Sequence, residues 1–405
     1  MYPDLSYLFH DLFGSQPDNW TSVFKSFGLM LALAFVACAW LLKSELRRLE
    51  TEGKLSPQPG KIKSEYALSD LILNAIVTTV IGAKIPYIIG HFTEFKSNPA
   101  SVIFSKLGNW PIGIVIGAAM AAYLYFTKYS RQKPAVETKV LVHPHEKTMD
   151  IIFLAAISGV VGSRLFSILE NLDDFIRDPI GNLFSGSGLT VYGGLILAFI
   201  TVYYYVKKAG IKPIYMMDIA GMGILLGYAI GRIGCQIAGD GDWGIVAAPQ
   251  PEWWFLPDWL WSYTYPNNVA TEGIPMAGCD GEAFAAARGY AEDRCLQTCG
   301  MRYCLELAQP VYPTPVYETI LSLIGFGMLW LMRKKIKIAG ILFFIYMIYN
   351  GIERFFIETI RVNEKYNYFG VEWSQAQYIS IGFVLVGLAG VLYLSRKKPG
   401  WENAA

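Results

Sequence analysis

Charge is scarce in this chain. Only 17% of its 405 residues are Asp, Glu, Lys or Arg, and the formal net charge is +1; an ordinary soluble domain carries about a quarter charged residues. Near-neutrality gives no basic surface for a polyanion, so no nucleic-acid partner is expected. Histidine is scarcer still: His10, His91, His143 and His145 all lie in connections between apolar runs. The side chain most used as a base and as a zinc ligand is therefore missing from membrane depth, and neither a metal nor a cofactor is expected. A small-residue cleavage site is also lacking after the first apolar run, which is followed by Lys43, Arg47 and Arg48. That run reads as a retained span and not a signal peptide.

What is abundant is apolar sequence, 53% of the chain with 15% aromatic. It gathers into runs of about transmembrane length at 24–42, 68–90, 110–127, 150–169, 189–206, 213–230, 316–332, 338–357 and 375–394, which predicts nine spans. Basic residues collect after spans 1, 3, 5, 7 and 9: at 43–63, at 128–147, at Lys207 and Lys208, in RKKIK at 333–337 and in RKK at 396–398. Alternate connections on one side are what the positive-inside rule gives. The expected architecture is a single all-α polytopic membrane domain over 1–405, with about nine transmembrane helices, the N-terminus outside and the C-terminus cytoplasmic. The outside face then receives the long stretch 235–313.

Within that stretch lie Cys279, Cys295, Cys299 and Cys304, which predict two disulfides in an oxidising compartment. Three pairings are open, and the spacing, with no histidine nearby, does not suit zinc. Sliding the sequence against itself exposes an offset of eighty residues. Asp70/Asp150, Gly82/Gly162, Phe95/Phe175, Pro99/Pro179, Phe104/Phe184, Ser105/Ser185, Gly108/Gly188, Gly113/Gly193, Tyr125/Tyr205 and Lys128/Lys208 agree without a gap, and Lys84 aligns with Arg164. Polar, glycine and proline matches point to a duplicated two-span unit, 66–128 repeating 146–208. Where the second copy has GSGLTVYGG the first has KLGNWPIGI, so Tyr192 faces Ile112 in the alignment and the first copy reads as the structural one.

An ionisable residue at membrane depth is costly unless it is paired or reaches water, and is a functional candidate by default. Arg164, Arg232, Glu353, Arg354, Glu358 and Arg361 form that set. Arg354, Glu358 and Arg361 share a helical face by their spacing, whereas Arg164 and Arg232 have no acidic neighbour in their own spans. Surplus guanidinium groups at a membrane call for an anion, and a phospholipid phosphate is the one at hand. GRIGCQIAGDGDWG at 231–244 fits, since its glycines permit sharp turns and close approach, Arg232 brings charge, and Asp240 and Asp242 would orient an arginine or a polar substrate.

These residues resemble a known family. GRIGCQIAGDGDWG is similar to the signature of the prolipoprotein diacylglyceryl transferases; FKSFGLM at 24–30, DIIFLAAISGVVGSRLF at 150–166, LTVYGG at 189–194, PTPVYE at 313–318 and ERFFIETIR at 353–361 resemble further segments of it in order. The resemblance covers most of the chain except the extra hairpin at 66–128 and the cysteine-bearing loop at 245–312. It implies an enzyme of the bacterial cytoplasmic (inner) membrane, acting at the outer leaflet in lipoprotein biosynthesis. Such an enzyme moves the diacylglyceryl group of phosphatidylglycerol onto the lipobox cysteine thiol of a preprolipoprotein, making a thioether and releasing glycerol phosphate. It implies catalytic roles for Arg232, Arg354, Tyr192 and Asp240, and substrate-binding roles for Arg164, Gly193, Gly194, Gly234, Asp242, Gly244, Glu358 and Arg361.

The chain departs from the family where proton transfer is concerned. The family's histidine before Gly-Gly is Tyr192, its first-span tyrosine is Phe27, its signature asparagines are Cys235 and Ala238, and its signature glutamate is Asp240. A phenol with a pKa of about 10 is a poor base at neutral pH. The other expectation is a non-catalytic paralogue that binds phospholipid or lipoprotein. Retention of the arginines and acids favours the enzyme.

Overall fold

In the computed structural model, residues 1–63, 68–97, 99–131, 137–179, 190–279, 281–368 and 370–397 are described. Phe184, Ser185 and Gly188 of the repeat, and Lys133 and Lys398 of the basic clusters, lie outside them. Each apolar run falls on a helix: α1 Ser26–Thr51, α2 Leu68–Gly90, α3 Trp110–Leu124, α4 Thr148–Glu170, α5 Val191–Lys208, α6 Pro213–Ala238, α7 Thr314–Met332, α8 Ile341–Ile357 and α9 Gln375–Lys397. Among the described residues, seven are long and apolar enough to cross a membrane, α3 counting together with the π-turn that continues it to Tyr129; α5 and α8, of 18 and 17 residues, stand outside that set. The chain is thus an all-α protein of the polytopic membrane type. Large apolar side chains such as Val36, Ile72, Phe153 and Leu331 are exposed along these helices, as lipid-facing surfaces are.

The chain divides into two units, Met1–Lys54 with Ile211–Ala405, and Leu55–Gly210. In the first, α6 packs between α1 and α7, and α8 against α9. Its core joins Leu41, Met222, Leu225, Leu329, Leu342 and Tyr346. Gly351 and Gly387 allow the close α8–α9 approach, since a Cβ on either would fall within 3 Å of the facing helix. Buried Asp218 of α6 takes the Gly340 and Phe343 N–H groups at 2.8 and 2.9 Å, so it caps the start of α8 from another helix. Buried Glu45 pairs with Arg48 at 2.7 Å and Arg333 at 3.0 Å.

The second unit is two helical hairpins, α2 with α3 and α4 with α5, the first flanked by an antiparallel strand pair, β1 Gln58–Lys63 with β2 Glu137–Val142, in register Gln58 to Val142 and Lys63 to Glu137. Both hairpins close on glycine. A Cβ on Gly82 would stand 3.4 Å from the Gly113 Cα, and one on Gly162 would lie 2.4 Å from the Gly193 oxygen. Lys84 is buried, and its Nζ donates to the carbonyls of Val102, Ser105 and Leu107 at 2.8, 2.6 and 2.7 Å.

The stretch between α6 and α7 carries two disulfides, Cys279–Cys299 and Cys295–Cys304, around a small core with Phe284 and Leu305. The N-terminal segment holds this part in place: Asp18 accepts the Arg302 N–H at 2.7 Å and the Tyr7 hydroxyl accepts the Tyr303 N–H at 2.9 Å.

Candidate functional site

The glycine-rich stretch is the turn that folds the end of α6 back on itself. The helix stops at Ala238 because Gly239 takes a left-handed conformation (φ 66°), which closes the last turn onto the Cys235 carbonyl. Asp242 is thereby returned to the level of Arg232, and its carbonyl accepts the Thr314 hydroxyl at 2.7 Å. Gly244 is then required by crowding: a Cβ there would meet the Ile360 oxygen at 2.6 Å and the Thr314 methyl at 2.9 Å. It forms an isolated antiparallel bridge with Arg361, and the Ile245 N–H donates to the Ile360 oxygen at 2.8 Å.

This turn closes a network of three guanidinium groups and three carboxylates. Arg232 pairs with both Asp242 and Glu318, and its Nε lies 3.0 Å from the Tyr228 hydroxyl. Arg361 donates to Asp242 at 2.7 Å and to Glu318 at 3.3 Å. Arg354 donates to Glu318 at 3.1 Å and pairs with Glu358 at 3.1 Å, while Asn363 also holds Glu358. Arg232, Glu318 and Glu358 are buried, whereas Asp242 is 37% and Arg354 28% exposed. The accessible members are thus one carboxylate and one guanidinium. Burial works to raise the Asp242 carboxyl, but the Arg232 and Arg361 charges outweigh it and hold that group below the usual carboxylate range.

Of the residues marked in the sequence, Arg232, Asp242, Arg354, Glu358 and Arg361 come together here. Gly244 lies under them. Asp240 accepts the Asp242 N–H at 3.3 Å and touches none of the three arginines through a described bond. Gly234 serves packing, since a Cβ there would press on Met30 and Phe27 of α1 at 3.0 and 3.2 Å. Arg164, Tyr192, Gly193 and Gly194 belong to the other unit. There the two glycines seat α5 against α4, with Phe166 and Ser163 under 2.5 Å from where their Cβ atoms would be, and Tyr192 is half exposed. This close packing accounts for Gly193 and Gly194 without a ligand. Of the cysteines, Cys279, Cys295, Cys299 and Cys304 form the two disulfides; Cys235 is a buried thiol, 3.7 Å from Arg232 Nη1 and from Asp242.

The surplus of arginine read from the sequence needs correction. Arg232 has no acidic neighbour within its own span, but Glu318 from α7 and Asp242 from the turn reach it. The three cations and three anions of the network balance. Glu318 is the hub, meeting all three arginines, and was missed. The signal was present, because Glu318 is an ionisable residue inside an apolar run and ends the PTPVYE segment. Cys235, Asp240 and Asp242 offer ligand atoms within 4.8 Å of one another. With two guanidinium groups already on Asp242, however, the local field favours an anion over a cation.

The family model for prolipoprotein diacylglyceryl transferase matches residues 21–144 and 112–393. The first stretch takes in the 66–128 hairpin and the second the 146–208 hairpin. Among curated proteins, the chain is 27% identical over 262 residues to a phosphatidylglycerol–prolipoprotein diacylglyceryl transferase of Lysinibacillus sphaericus, covering 64% of this chain and 81% of the relative. Proteins of the same description from Staphylococcus carnosus (26%, covering 69% and 84%) and Bacillus cereus (25%, covering 73% and 92%) are similar to it as well.

Proposed function

Because the chain belongs to the prolipoprotein diacylglyceryl transferase family, we propose that it transfers the diacylglyceryl group of phosphatidylglycerol to the lipobox cysteine thiol of preprolipoproteins. The observation that carries this reading is the convergence of Arg232, Arg354 and Arg361 on Glu318 with Asp242 at its open edge. Guanidinium groups fixed by a buried carboxylate are preorganised donors for phosphate. Asp242 is the member that exchanges: it is accessible and occupies the donors of Arg232 and Arg361 that a phosphate would take. The phosphate replaces it, and Glu318 stays behind to hold the guanidinium planes.

In the reaction, a carbon–oxygen bond between the glyceryl carbon and phosphate breaks as the sulfur–carbon bond forms. Arg232 and Arg354 stabilise charge growing on the departing glycerol phosphate. The thiol proton must leave, since a free thiol with a pKa of about 8.5 attacks poorly. Asp242, once released from its arginines, is the acceptor we assign in place of the family's histidine. Tyr192 stands where the resemblance has the family's histidine, and its phenol is too weak a base at neutral pH to take that histidine's part. We further propose that all nine helices cross the cytoplasmic membrane with the N-terminus outside and the cluster at the outer leaflet. The alternation of basic connections supports that orientation. The eighty-residue repeat supports reading 66–128 as an inserted copy of 146–208.

The test is incubation of purified protein with phosphatidylglycerol and a lipobox peptide, following glycerol phosphate release and peptide mass. A thioether-linked diacylglyceryl adduct is expected. No adduct from the wild type, or undiminished adduct from Arg232→Ala, overturns the assignment.

A further inference from the structure

The proposed reaction leaves unused an exposed aromatic surface outside the helices. The segment Glu252-Trp-Trp-Phe-Leu-Pro-Asp-Trp-Leu-Trp261 follows the turn below Arg361. In it Phe255 is 88% exposed, Trp253 71%, Trp259 47% and Leu256 42%. Such a concentration of exposed aromatic side chains marks an interaction surface.

The segment is built in two layers. The inner one is rigid: Trp254 and Trp261 meet edge to face at 5.0 Å, and Trp261 meets Tyr312 at 5.7 Å. The Trp261 indole N–H donates to the Ala248 carbonyl at 2.8 Å. The segment's N–H groups at Trp254, Leu260 and Trp261 are satisfied locally by Pro251, Pro257 and Asp258 carbonyls. The outer layer is Trp253, Phe255, Leu256 and Trp259, which this pedestal displays.

The height of the pedestal is fixed by the chain itself. Tyr317, in the first turn of the membrane-length helix α7, donates its hydroxyl to the Leu260 carbonyl at 2.7 Å and lies 3.3 Å from that of Trp261. The aromatic segment is therefore level with the end of a span, whichever face of the membrane that end occupies. Side chains with an apolar body and a polar edge partition to that depth.

We propose that residues 252–261 form an interfacial wedge, with Trp253, Phe255, Leu256 and Trp259 inserted at the headgroup–acyl boundary of the bilayer. The occupant is lipid. The wedge hangs from the same turn that positions Asp242 and Arg361, so it holds the open edge of the cluster at the depth of phospholipid phosphates. This consequence rests on the transferase reading; the insertion itself does not.

The test places trifluoromethyl-phenylalanine at position 255, and in a second variant at 259, in full-length protein reconstituted into phosphatidylcholine–phosphatidylglycerol nanodiscs. Fluorine relaxation is compared with dissolved oxygen, which concentrates in the bilayer, and with a water-soluble nickel chelate. A third label at Tyr290, 86% exposed in the disulfide-bonded part, is the aqueous reference. The oxygen-to-nickel ratio is expected to be several-fold higher at 255 and 259 than at 290. Equal ratios at all three positions overturn the proposal. So does nickel access at 255 and 259 that disappears only when a lipobox peptide is added, which would make the surface a peptide dock. None of these readings needs turnover, so a protein inactive as a transferase is still tested for insertion.

Discussion

Two buried cationic sites in this protein are satisfied in opposite ways. Lys84 in the first hairpin spends its ammonium on three backbone carbonyls of the segment leading to α3. Arg232 at the end of α6 is held by two carboxylate side chains, one buried and one accessible. Carbonyls cannot leave without unfolding their segment, so the lysine cradle is a structural lock. A carboxylate on a glycine-hinged turn can be displaced by another oxyanion, so the arginine site is exchangeable. Burial of charge alone does not separate the two; the mobility of the counter-group does.

The largest expected effect comes from removing the exchangeable cation. Arg232→Ala should lower adduct formation by at least a factor of about 100, the range for losing one preorganised donor, while the protein stays folded by thermal unfolding in detergent. A smaller loss would place phosphate elsewhere. Lys84→Met should do the reverse, costing roughly 3 kcal/mol of stability through three orphaned carbonyls and leaving turnover per folded molecule unchanged. If turnover fell with stability intact, the first hairpin would have to be counted as part of the site. Tyr192→Phe should cost less than about tenfold in turnover, since a phenol with a pKa of about 10 is too weak a base to carry the thiol proton and an ordinary hydrogen bond is worth only about 0.5–1.5 kcal/mol net. A loss equal to that of Arg232→Ala would show the phenol to be indispensable.

The last and smallest effect concerns pH. Asp242 titrates below its ordinary range in the folded protein, so its pairing stabilises above the unfolded pKa of about 3.9 and is lost only as pH falls through the lower folded value. The difference in melting temperature between wild type and Asp242→Asn should accordingly hold from pH 7 to about pH 5 and shrink below pH 4. A difference that vanished by pH 6 would mean that the two arginines do not hold this carboxylate.

The helices were legible because each is a sustained apolar run, and their ends were set by local chemistry the sequence displays, such as Gly239 after α6 and Gly340 before α8. The arginines were legible for the same reason, as charges in apolar surroundings. Glu318 carries the same mark, but its pairing with all three was not legible, because the ion pairs between α6 and α7 cross 86 residues of sequence. The β1–β2 pairing joins strands about eighty residues apart with no alternating pattern to announce it. Gly193 and Gly194 illustrate a further limit: a paired glycine reads the same whether a ligand or a neighbouring helix occupies the space beside it.

The bridge at Gly244 has a partner rung at the far end of the long excursion. The Gly244 N–H donates to the Tyr312 carbonyl at 2.8 Å, the Tyr312 N–H to that of Ile245 at 3.1 Å, and the Ala247 N–H to that of Pro310 at 3.0 Å. The stretch from 248 to 309, disulfides included, therefore leaves and returns through a closed neck, and is tied again to the N-terminal segment at Asp18 and Tyr7 and to the end of α6 at Ala238 and Gly239. Doubling the length of such a loop costs only about 0.6 kcal/mol of closure entropy. The neck thus divides the labour: residues inserted in the disulfide-bonded part, between these ties, should lengthen the excursion and leave Arg361 and the arginine cluster where they are.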